Sequence, residues 1–297
     1  MKRALAIINP ISGTGSKSSL PKLLCDAYND TDTQLYITYT KHARHAYELA
    51  KSATENKFDV VIAIGGDGTI NEVASALLHT DTALGIIPKG SGNGLARALG
   101  IPINEEKAIS QLISGKIIRI DCCQANGIPF FCTCGLGFDA EVSAAFAEVP
   151  FRGFLSYAKT AIEKYINYKP SIYTVEIDGL DTPIQTEAFV IAAANANQYG
   201  NNAYIAPEAS MTDGKMDLVI LKPFKVTELA QVTMQLFSKK LEENIHQQSH
   251  QTSHAIITRE QDGVVHLDGE PLQMPARLEI ELLPSAINVI VPTNSNV

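Results

Sequence analysis

The residues best suited to chemistry lie in a glycine-rich turn at residues 65–69, with the sequence GGDGT. This turn directly follows a Val/Ile-rich strand pattern at residues 59–64 and precedes a helical pattern. The backbone N–H groups of such a turn converge on an anion, which is typical of a phosphate site. Because the carboxylate of Asp67 would repel a bare phosphate, we expect it to hold a cation or a water that bridges to phosphate. Thr69 is a candidate N-cap of the next helix, with Glu72 at the spacing of a capping box.

Two further glycine-rich turns occupy corresponding positions. Residues 9–15 (NPISGTG) follow the first predicted strand, and residues 88–94 (PKGSGNG) follow the fourth. Ligands of open α/β sheets bind beyond the carboxyl ends of the strands, so the three turns together predict a nucleotide-phosphate site. None of them ends in the Gly-Lys-Ser/Thr of a P-loop. The Gly-x-Gly-x-x-Gly fingerprint fails at Ser18, Asn71 and Leu95, which disfavours a dinucleotide dehydrogenase.

A separate pair of carboxylates occurs at residues 268–270 (DGE), after a strand pattern at residues 264–267. Transfer of a γ-phosphoryl group to an alcohol needs a carboxylate that orients the hydroxyl or accepts its proton, together with Mg²⁺ to neutralise phosphate charge. An Asp-Gly pair is also an ordinary exposed β-turn. The residues of this segment alone favour the plain turn.

Taken together, these segments resemble the lipid-kinase superfamily of bacterial diacylglycerol kinases, sphingosine kinases and ceramide kinases, which is distantly related to NAD kinases. The matching segments are NP-x-SG at 9–13, GGDGT-x-NEV at 65–73, LGIIP-x-GSGN at 84–93, AR-x-LGIP at 96–102, G-x-GFD at 135–139, DG-x-MD at 213–217 and DGE at 268–270. They extend over nearly the whole chain. The set is highly specific for the superfamily and much less specific for the lipid.

The resemblance implies that ATP lies between two domains, with its phosphates cradled by the glycine-rich loops. The implied nucleotide-binding residues are Asn9, Ser12, Gly13, Thr40, Gly65, Gly66, Asp67, Gly68, Thr69, Asn71, Glu72, Ser91 and Asn93. Thr40 is included by its place at the end of the second predicted strand. The third loop departs mildly from the Gly-Thr-x-Asn of the family, because Ser91 replaces the threonine but keeps the hydroxyl.

The resemblance also implies a metal and a base. A structural Mg²⁺ is expected near Asp213, with backbone oxygens near Ser210 and Lys215 as further ligands. The DGE turn is expected to supply the base from the second domain, with Asp268 as the base and Glu270 as its orienter or as the base itself. Asp67 is the rival base, since sphingosine kinases resemble this chain in that turn.

The apolar patterns predict two domains of different class. Strand and helix patterns alternate over residues 1–121, which indicates a doubly wound α/β domain that binds ATP. Over residues 122–297, strand patterns follow one another with Asn-Gly and Asp-Gly turns, which indicates a mostly antiparallel β-sandwich domain for the lipid substrate. The last residues could return to the first domain.

The individual elements follow from the same patterns. Strands are predicted at residues 4–8, 35–39, 59–64, 84–87, 117–125, 128–134, 172–177, 187–194, 216–221, 255–258, 264–267, 278–283 and 288–291. Helices are predicted at residues 20–28, 42–53, 70–78, 94–99, 154–167 and 226–241.

Composition narrows the class of protein. The 297-residue chain is 45% hydrophobic and has a formal net charge of −8, which excludes global disorder and disfavours a nucleic-acid partner. Its apolar runs fall short of the ~18 residues that span a bilayer, and we find no targeting segment. We therefore expect a cytoplasmic protein, without a transmembrane segment, that meets its lipid peripherally at the inner membrane surface. The sequence also leaves open whether the protein forms a homodimer.

Three features have competing interpretations. Aromatic and basic residues at 149–169 fit a membrane-surface helix, but an ordinary helix packed on the β domain is favoured. The repeat of His246, His250 and His254 could bind a metal on one helical face, but a solvated loop is favoured. The five cysteines indicate small buried side chains rather than disulfides or a zinc site. Lys89 and Arg97 could steer ATP.

The leading hypothesis is an ATP- and Mg²⁺-dependent lipid kinase that acts on diacylglycerol, a long-chain base or a related lipid. One alternative is an NAD kinase-like enzyme with a water-soluble acceptor. The other is a catalytically silent protein that binds ATP or lipid. The carboxylates Asp67, Asp268 and Glu270 disfavour the silent protein, which would not need them.

Overall fold

A computed structural model describes residues 1–13, 18–147, 164–165 and 167–295. The chain divides into two compact units, Met1–Ile120 with Ser285–Val297, and Asp121–Pro284. The helix predicted at residues 154–167 lies almost wholly outside the described residues, and so does most of the candidate membrane segment at 149–169. Residues 14–17 of the first glycine-rich loop also lie outside them.

A parallel sheet forms the centre of the first unit. Its strands are β1 (Lys2–Ile8), β2 (Thr33–Tyr39), β3 (Val60–Gly65) and β4 (Ala83–Pro88), in the order β2-β1-β3-β4. The end of a later strand, β16 (Arg277–Val291), adds to β4 in parallel through Asn288 and Val289. Strands β3 and β4 are buried along almost their whole length, as expected of parallel strands covered on both faces.

Five helices of the first unit surround this sheet within the described residues. They are α1 (Leu20–Tyr28), α2 (His45–Glu55), α3 (Asp67–Leu77), α4 (Gly94–Ala98) and α5 (Glu105–Ser114). Helices α1 and α5 share one core with Ala4, Ile8 and Ile62 of the sheet. Helix α5 was not predicted, although Asn104 accepts a hydrogen bond from the Lys107 N–H as its N-cap.

Two antiparallel sheets form the second unit. One has the order β12-β11-β10-β7-β14-β15, and the other contains β9, β8, β13 and the first part of β16. The strands are β5 (Lys116–Ala125), β6 (Ile128–Phe130), β7 (Thr133–Gly137), β8 (Ser171–Ile177), β9 (Ile184–Ala188), β10 (Val190–Ala194), β11 (Met216–Leu221), β12 (Gln247–Thr252), β13 (His254–Arg259), β14 (Gly263–Leu267) and β15 (Glu270–Met274). Helix α6 (Phe138–Ala147) follows β7, and helix α7 (Leu229–Phe237) lies between short 3₁₀ helices at Val226–Glu228 and Leu241–Glu243. The predicted combination of an α/β unit and a β-sandwich is confirmed.

Packing explains why some strands of the second unit are apolar throughout. Leu218 and Ile220 of β11 face the core between the two sheets, where Val175 and Ile257 of the opposite sheet also lie. Residues at alternate positions of β11 instead face a second core that includes Val232 of α7. A strand covered on both faces has no polar side, so strict alternation is lost.

Several predicted boundaries were wrong for reasons of tertiary structure. The strand predicted at 128–134 is interrupted between β6 and β7, and the one predicted at 187–194 is divided into β9 and β10. Conversely, the two strands predicted at 278–283 and 288–291 are one continuous strand, β16. The interruption before β7 arises because the N–H groups of residues 131–133 bond to a carboxylate rather than to a neighbouring strand.

The loop favoured for residues 246–254 is wrong, because Gln247–Thr252 form strand β12 beside β11. Its histidines do not converge on one metal: His246 contacts Glu228, whereas His254 contacts Asp178 and Glu279. All five cysteines are free, and four of them are buried while Cys25 is exposed. Among the described residues, no helix combines the length and the apolar character that crossing a bilayer requires.

The contacts of His254 generate a prediction about pH. Its Nε2 lies 3.1 Å from Glu279 and its Nδ1 lies 3.2 Å from Asp178. The hydrogen bond to Glu279, and then that to Asp178, raises the pKa of His254 above 6.5. A pKa raised by folding stabilises the fold below the unfolded-state pKa, and this stabilisation is lost as the pH rises through the folded-state pKa. We therefore expect His254→Asn to lower the free energy of unfolding more at about pH 6 than at about pH 9. Denaturant titrations of both proteins measure this, and a pH-independent difference would contradict it.

Candidate active site

The GGDGT turn forms the junction between β3 and α3. Gly66 is the N-cap in an extended conformation, and α3 begins at Asp67. The first N–H groups of a helix have no partner within it, so this end of α3 offers donors and a favourable dipole to an anion. The helix begins three residues before the predicted start at residue 70.

The predicted capping box at this helix is wrong. The side chain of Thr69 is buried in the first turn of α3, where its Oγ1 accepts a hydrogen bond from Asn9 Nδ2 at 2.8 Å. Glu72 instead accepts the backbone N–H groups of Arg44 at 2.9 Å and Ala46 at 3.1 Å. These donors lie at the start of α2, so Glu72 caps the neighbouring helix rather than its own.

Asp67 makes the same kind of contact with the third loop. Its Oδ2 accepts the N–H of Asn93 at 2.9 Å, and its Oδ1 accepts the N–H of Gly94 at 2.7 Å. Gly94 is the first residue of α4, so Asp67 satisfies the donors at that helix start. The carboxylate expected to hold a cation therefore has a further function, which is to fix the second loop to the third.

The three loops approach one another through glycines. A Cβ on Gly90 would lie 2.8 Å from the Cα of Gly66, and a Cβ on Gly13 would lie 2.0 Å from the carbonyl oxygen of Lys89. Both distances are too short for a real Cβ, because carbon atoms in contact are about 3.5–4.0 Å apart. The loops can therefore pack this closely only without these side chains.

The third loop is also held from within. Asn93 has a left-handed backbone, with φ of 51°, and its side chain bonds to both the N–H and the carbonyl of Gly90 at 2.8 Å. Arg97 Nε donates to the Gly92 carbonyl at 3.0 Å. Ser91 is exposed at the tip of this loop. Its hydroxyl is therefore accessible from solvent.

Other predicted residues of the first unit lie at the strand ends. Asn9 donates its N–H to the Ile64 carbonyl, and Thr40 donates its N–H to the Ile8 carbonyl, each at 2.9 Å. Ser12 Oγ donates to the Asn9 carbonyl, which shapes the first loop. The structure thus brings the predicted loop residues to the carboxyl ends of β1, β2, β3 and β4. Lys89 forms an ion pair with Glu105, so its charge is neutralised locally.

In the second unit, the DGE turn is the two-residue connection of the hairpin β14–β15. Asp268 and Gly269 have φ of 50° and 84°, and Leu267 pairs with Glu270 across them. The Asp268 carboxylate accepts three backbone N–H groups, from residues 131, 132 and 133, at 2.9, 2.7 and 3.1 Å. These bonds fix the orientation of the carboxylate. Glu270 is exposed.

A buried polar cluster lies directly behind this turn and was not identified from the sequence. His266 Nε2 lies 3.1 Å from Asp139 Oδ2, which also accepts the Tyr199 hydroxyl at 2.9 Å. The Gly269 N–H donates to His266 Nδ1 at 3.3 Å. A Cβ on Gly135 would lie 2.3 Å from His266 Nε2 and still closer to Asp139, so this position requires glycine. The G-x-GFD segment contained two members of the cluster, but nothing in it indicated the histidine.

The candidate metal site lies in the turn at residues 210–215 of the second unit. Gly214 has φ of 74° and donates its N–H to Asp121 Oδ2 at 2.9 Å, while the Lys215 N–H donates to Asp213 Oδ1 at 3.0 Å. Ser210 Oγ lies 3.3 Å from the hydroxyl of Thr212. Carboxylate, hydroxyl and carbonyl oxygens are the donors that Mg²⁺ prefers, so the residues fit that ion. Burial raises the pKa of nearby Asp217 to about 6.

The first unit carries three glycine-rich loops at the strand ends of an α/β sheet, and the second carries a carboxylate turn on a β-sandwich, an arrangement that fits a phosphotransferase. Comparisons with known proteins agree. Residues 3–125 match the diacylglycerol kinase catalytic domain family, and residues 132–291 match the YegS C-terminal NAD kinase beta sandwich-like domain family.

Individual relatives cover most of the chain. A protein named diacylglycerol kinase from Bacillus subtilis (strain 168) is 35% identical over an alignment of 243 residues, which covers 78% of this chain and 78% of that protein. A protein named "Probable lipid kinase YegS-like" from Yersinia pestis is 30% identical and covers 99% of this chain and 98% of its own. A crystal structure described as a diacylglycerol kinase from Bacillus anthracis str. Sterne superimposes with a TM-score of 0.75 at 25% identity, over 98% of this chain and 97% of the other. The chain therefore belongs to the diacylglycerol kinase family of lipid kinases, and it is a phosphotransferase with an alcohol group as acceptor.

The close approach of the loops predicts the effect of adding one methyl group. Gly90→Ala introduces a Cβ against Gly66, so we expect the loops to separate and ATP to bind about tenfold more weakly, equivalent to ~1.4 kcal/mol. Calorimetric titration with ATP and Mg²⁺ measures this. The matched control is Gly127→Ala, at a positive-φ hairpin position with open space around it. The control should lose stability and keep ATP affinity, and equal affinity in all three proteins would contradict the packing argument.

Proposed function

We propose that this lipid kinase transfers the γ-phosphoryl group of ATP to the hydroxyl of a lipid, with Mg²⁺ as the metal. The observation that carries the proposal is the set of three loops fixed to one another at the strand ends by Asp67 and Thr69. We propose residues 1–121, joined by the returning segment Ser285–Val297, as the ATP-binding part and the remainder of residues 122–297 as the part that presents the lipid. The nucleotide contacts proposed in the loops are Asn9, Ser12, Gly13, Thr40, Gly65, Gly66, Asp67, Gly68, Thr69, Asn71, Glu72, Ser91 and Asn93.

The DGE turn is the proposed source of the base. The acceptor oxygen forms its bond to the γ-phosphorus while the bond to the bridging oxygen of ADP breaks, and the hydroxyl proton passes to a carboxylate. Asp268 is supported by its fixed orientation, because three N–H groups hold it. This fixed orientation suits a loose transition state, in which positioning of the acceptor hydroxyl matters more than removal of its proton. Exposed Glu270 is the proposed orienter of the hydroxyl.

Asp67 is the weaker candidate for the base. Both of its oxygens accept N–H groups of the third loop, so its carboxylate already maintains the shape of the phosphate site. Removing it would disturb ATP binding as well as chemistry. This dual effect separates Asp67 from Asp268, whose contacts lie within the second unit.

Mg²⁺ has two proposed roles. When bound with ATP it neutralises the charge of the phosphates. In the second unit, Asp213 and the backbone oxygens of Ser210 and Lys215 would hold a structural ion. Asp121 stabilises this turn by accepting the Gly214 N–H. Magnesium at this turn would leave the chemistry unchanged and would fix the turn instead.

The acceptor is proposed to be diacylglycerol, a long-chain base or a related lipid. Diacylglycerol is favoured because the Bacillus subtilis relative, at 35% identity, bears the name of that kinase. Such lipids reside in bilayers, so the protein must meet a membrane surface to reach them.

The surface of α7 supports a membrane contact. Val232 and Gln235 are buried, whereas Ala230, Met234 and Phe237 are exposed at helical spacing on the other side. Val226, 66% exposed, continues the same stripe before the helix. We call this set of residues, Val226, Ala230, Met234 and Phe237, the α7 stripe.

Charged side chains of both signs flank the α7 stripe. Exposed Lys225, Lys239 and Lys240 lie at its two ends, but Glu228 lies beside Lys225 and Glu243 pairs with Lys240 at 3.5 Å. The apolar side chains of the stripe therefore carry the proposed contact with a lipid bilayer, and the lysines can extend their apolar stems along it.

The first prediction of this proposal concerns the turn. With γ-labelled ATP and Mg²⁺, a total lipid extract and NAD offered together, label should enter the organic phase. Asp268→Asn should reduce turnover by roughly 10²–10⁴-fold and leave ATP affinity unchanged. The matched control is Asp262→Asn, at another Asp-Gly turn of the same unit.

The outcomes of this assay are distinct. Near-normal turnover in Asp268→Asn would contradict the assignment of Asp268 as the base. Because Glu270 is exposed, Glu270→Gln tests the same turn while the N–H groups of residues 131–133 keep their bonds to Asp268. Label in an aqueous dinucleotide would indicate an NAD kinase-like enzyme. ATP binding without any transfer would indicate a silent protein.

The second prediction concerns the α7 stripe. Met234→Glu should abolish cosedimentation with vesicles of phosphatidylglycerol and phosphatidylcholine, because it places a carboxylate in the apolar stripe. Ile172→Glu, at a similarly exposed isoleucine of β8, is the matched control and should bind as the wild type does. Equal binding of Met234→Glu and wild type would exclude this face.

A further inference from the structure

The carboxylate turn has a second anchor besides the Asp268 carboxylate. The N–H of Gly269, in the middle of the turn, donates to His266 Nδ1 at 3.3 Å. His266 is 2% exposed and therefore cannot move aside easily.

The contacts of His266 determine where its proton lies. Because the Gly269 N–H can only donate, Nδ1 must carry a lone pair. The proton of the neutral ring is then on Nε2, which lies 3.1 Å from Asp139 Oδ2. Asp139 is an acceptor throughout, since it also receives the Tyr199 hydroxyl and the Ala140 N–H. The hydrogen-bond directions thus agree along the whole cluster.

His266 has no free nitrogen for proton transfer. Both ring nitrogens have partners and the ring is shielded from solvent, so it does not touch a substrate. Any effect on the reaction must pass through the turn. Displacing a reacting group by about 1 Å can reduce a rate roughly 100-fold, so the anchor of such a turn matters.

We infer that His266 is a positioning residue: Asp139 and Tyr199 hold its ring so that Nδ1 accepts the Gly269 N–H and fixes the direction of Asp268 and Glu270. The inference rests on the proposed function, in which this turn orients the acceptor hydroxyl. This role of His266 also explains why position 135 is a glycine, since a Cβ there would occupy the space of the Asp139–His266 contact.

Two substitutions test the contacts of the two ring nitrogens of His266 one at a time. The amide oxygen of His266→Asn can stand near the Nδ1 position and accept the Gly269 N–H, but the side chain is too short for Asp139. The amide of His266→Gln can reach Asp139 as a donor, but leaves Gly269 without an acceptor. His266→Asn loses the buried bond to the Asp139 carboxylate, and His266→Gln loses the part-buried bond from the Gly269 N–H. His266→Asn should therefore be the less stable of the two, so loss of stability cannot account for a lower kcat in His266→Gln.

The expected kinetics differ between these variants. His266→Gln should lower kcat roughly 100-fold with the KM for ATP unchanged, whereas His266→Asn should retain most of the wild-type kcat. His254→Asn is the control for loss of a hydrogen-bonded histidine elsewhere in the same unit, and should keep kcat. Equal kcat in the Gln and Asn variants would overturn the inference.

A spectroscopic measurement tests the inference without any substrate. Nitrogen-15 NMR of the seven histidines, with His266 assigned from the signal lost in His266→Asn, should show the neutral Nε2–H form. The amide of Gly269 should exchange with solvent more slowly than that of Gly179, in another open Asp-Gly turn. An Nδ1–H ring or equally fast exchange would overturn the inference.

The experiments distinguish failure of the catalytic role of the DGE turn from failure of the positioning role of His266. If Asp268→Asn and Glu270→Gln both keep full turnover, the catalytic role of the turn fails, while the NMR result still reports on the anchor. If those variants are inactive but His266→Gln is as active as His266→Asn, only the positioning role fails.

Discussion

Carboxylates that accept backbone N–H groups hold the functional loops of both units in place. Asp67 accepts N–H groups of the third loop, and Glu72 accepts N–H groups at the start of α2. Asp268 accepts the N–H groups of residues 131–133. Asp121 does the same for the turn at Gly214. N–H groups in such loops have no ladder or helix partner, and bonds to an ionised acceptor are roughly twice as strong as neutral ones. Each of these loops therefore has a defined shape before any ligand binds.

The same contacts give these connecting segments a defined geometry. Connecting segments are ordinarily mobile, and a phosphate site or a hydroxyl-orienting turn needs fixed geometry. In the first unit, glycines allow the loops to touch and Asp67 joins them. In the second unit, Gly135 gives space to the Asp139–His266 contact behind the carboxylate turn. Close packing and charge-assisted bonds thus act together at both places.

Membership of the lipid kinase family covers both units, since the YegS-like relative matches 99% of the chain. The α/β unit carries the phosphate loops, and the β-sandwich carries the carboxylate turn and the α7 stripe. The membrane contact proposed for the α7 stripe would suit a hydrophobic acceptor, whereas a water-soluble acceptor would not require it. In the proposed function, the two units therefore bind different substrates.

The sequence alone determined the fold class, most strands and the glycine-rich loops, because these depend on residues that are close along the chain. Apolar periodicity defined β11, which was predicted with its observed bounds, and Asn126-Gly127 defined the hairpin between β5 and β6, where both residues have positive φ. Only the tertiary structure decided which N–H groups each carboxylate meets. Glu72 meets α2 across 26 residues of sequence, Asp268 meets Phe131 across 137, and His266 meets Asp139 across 127. A carboxylate looks the same in sequence whether it caps its own helix, caps another or orients a substrate, because its partners are selected by folding rather than by local pattern.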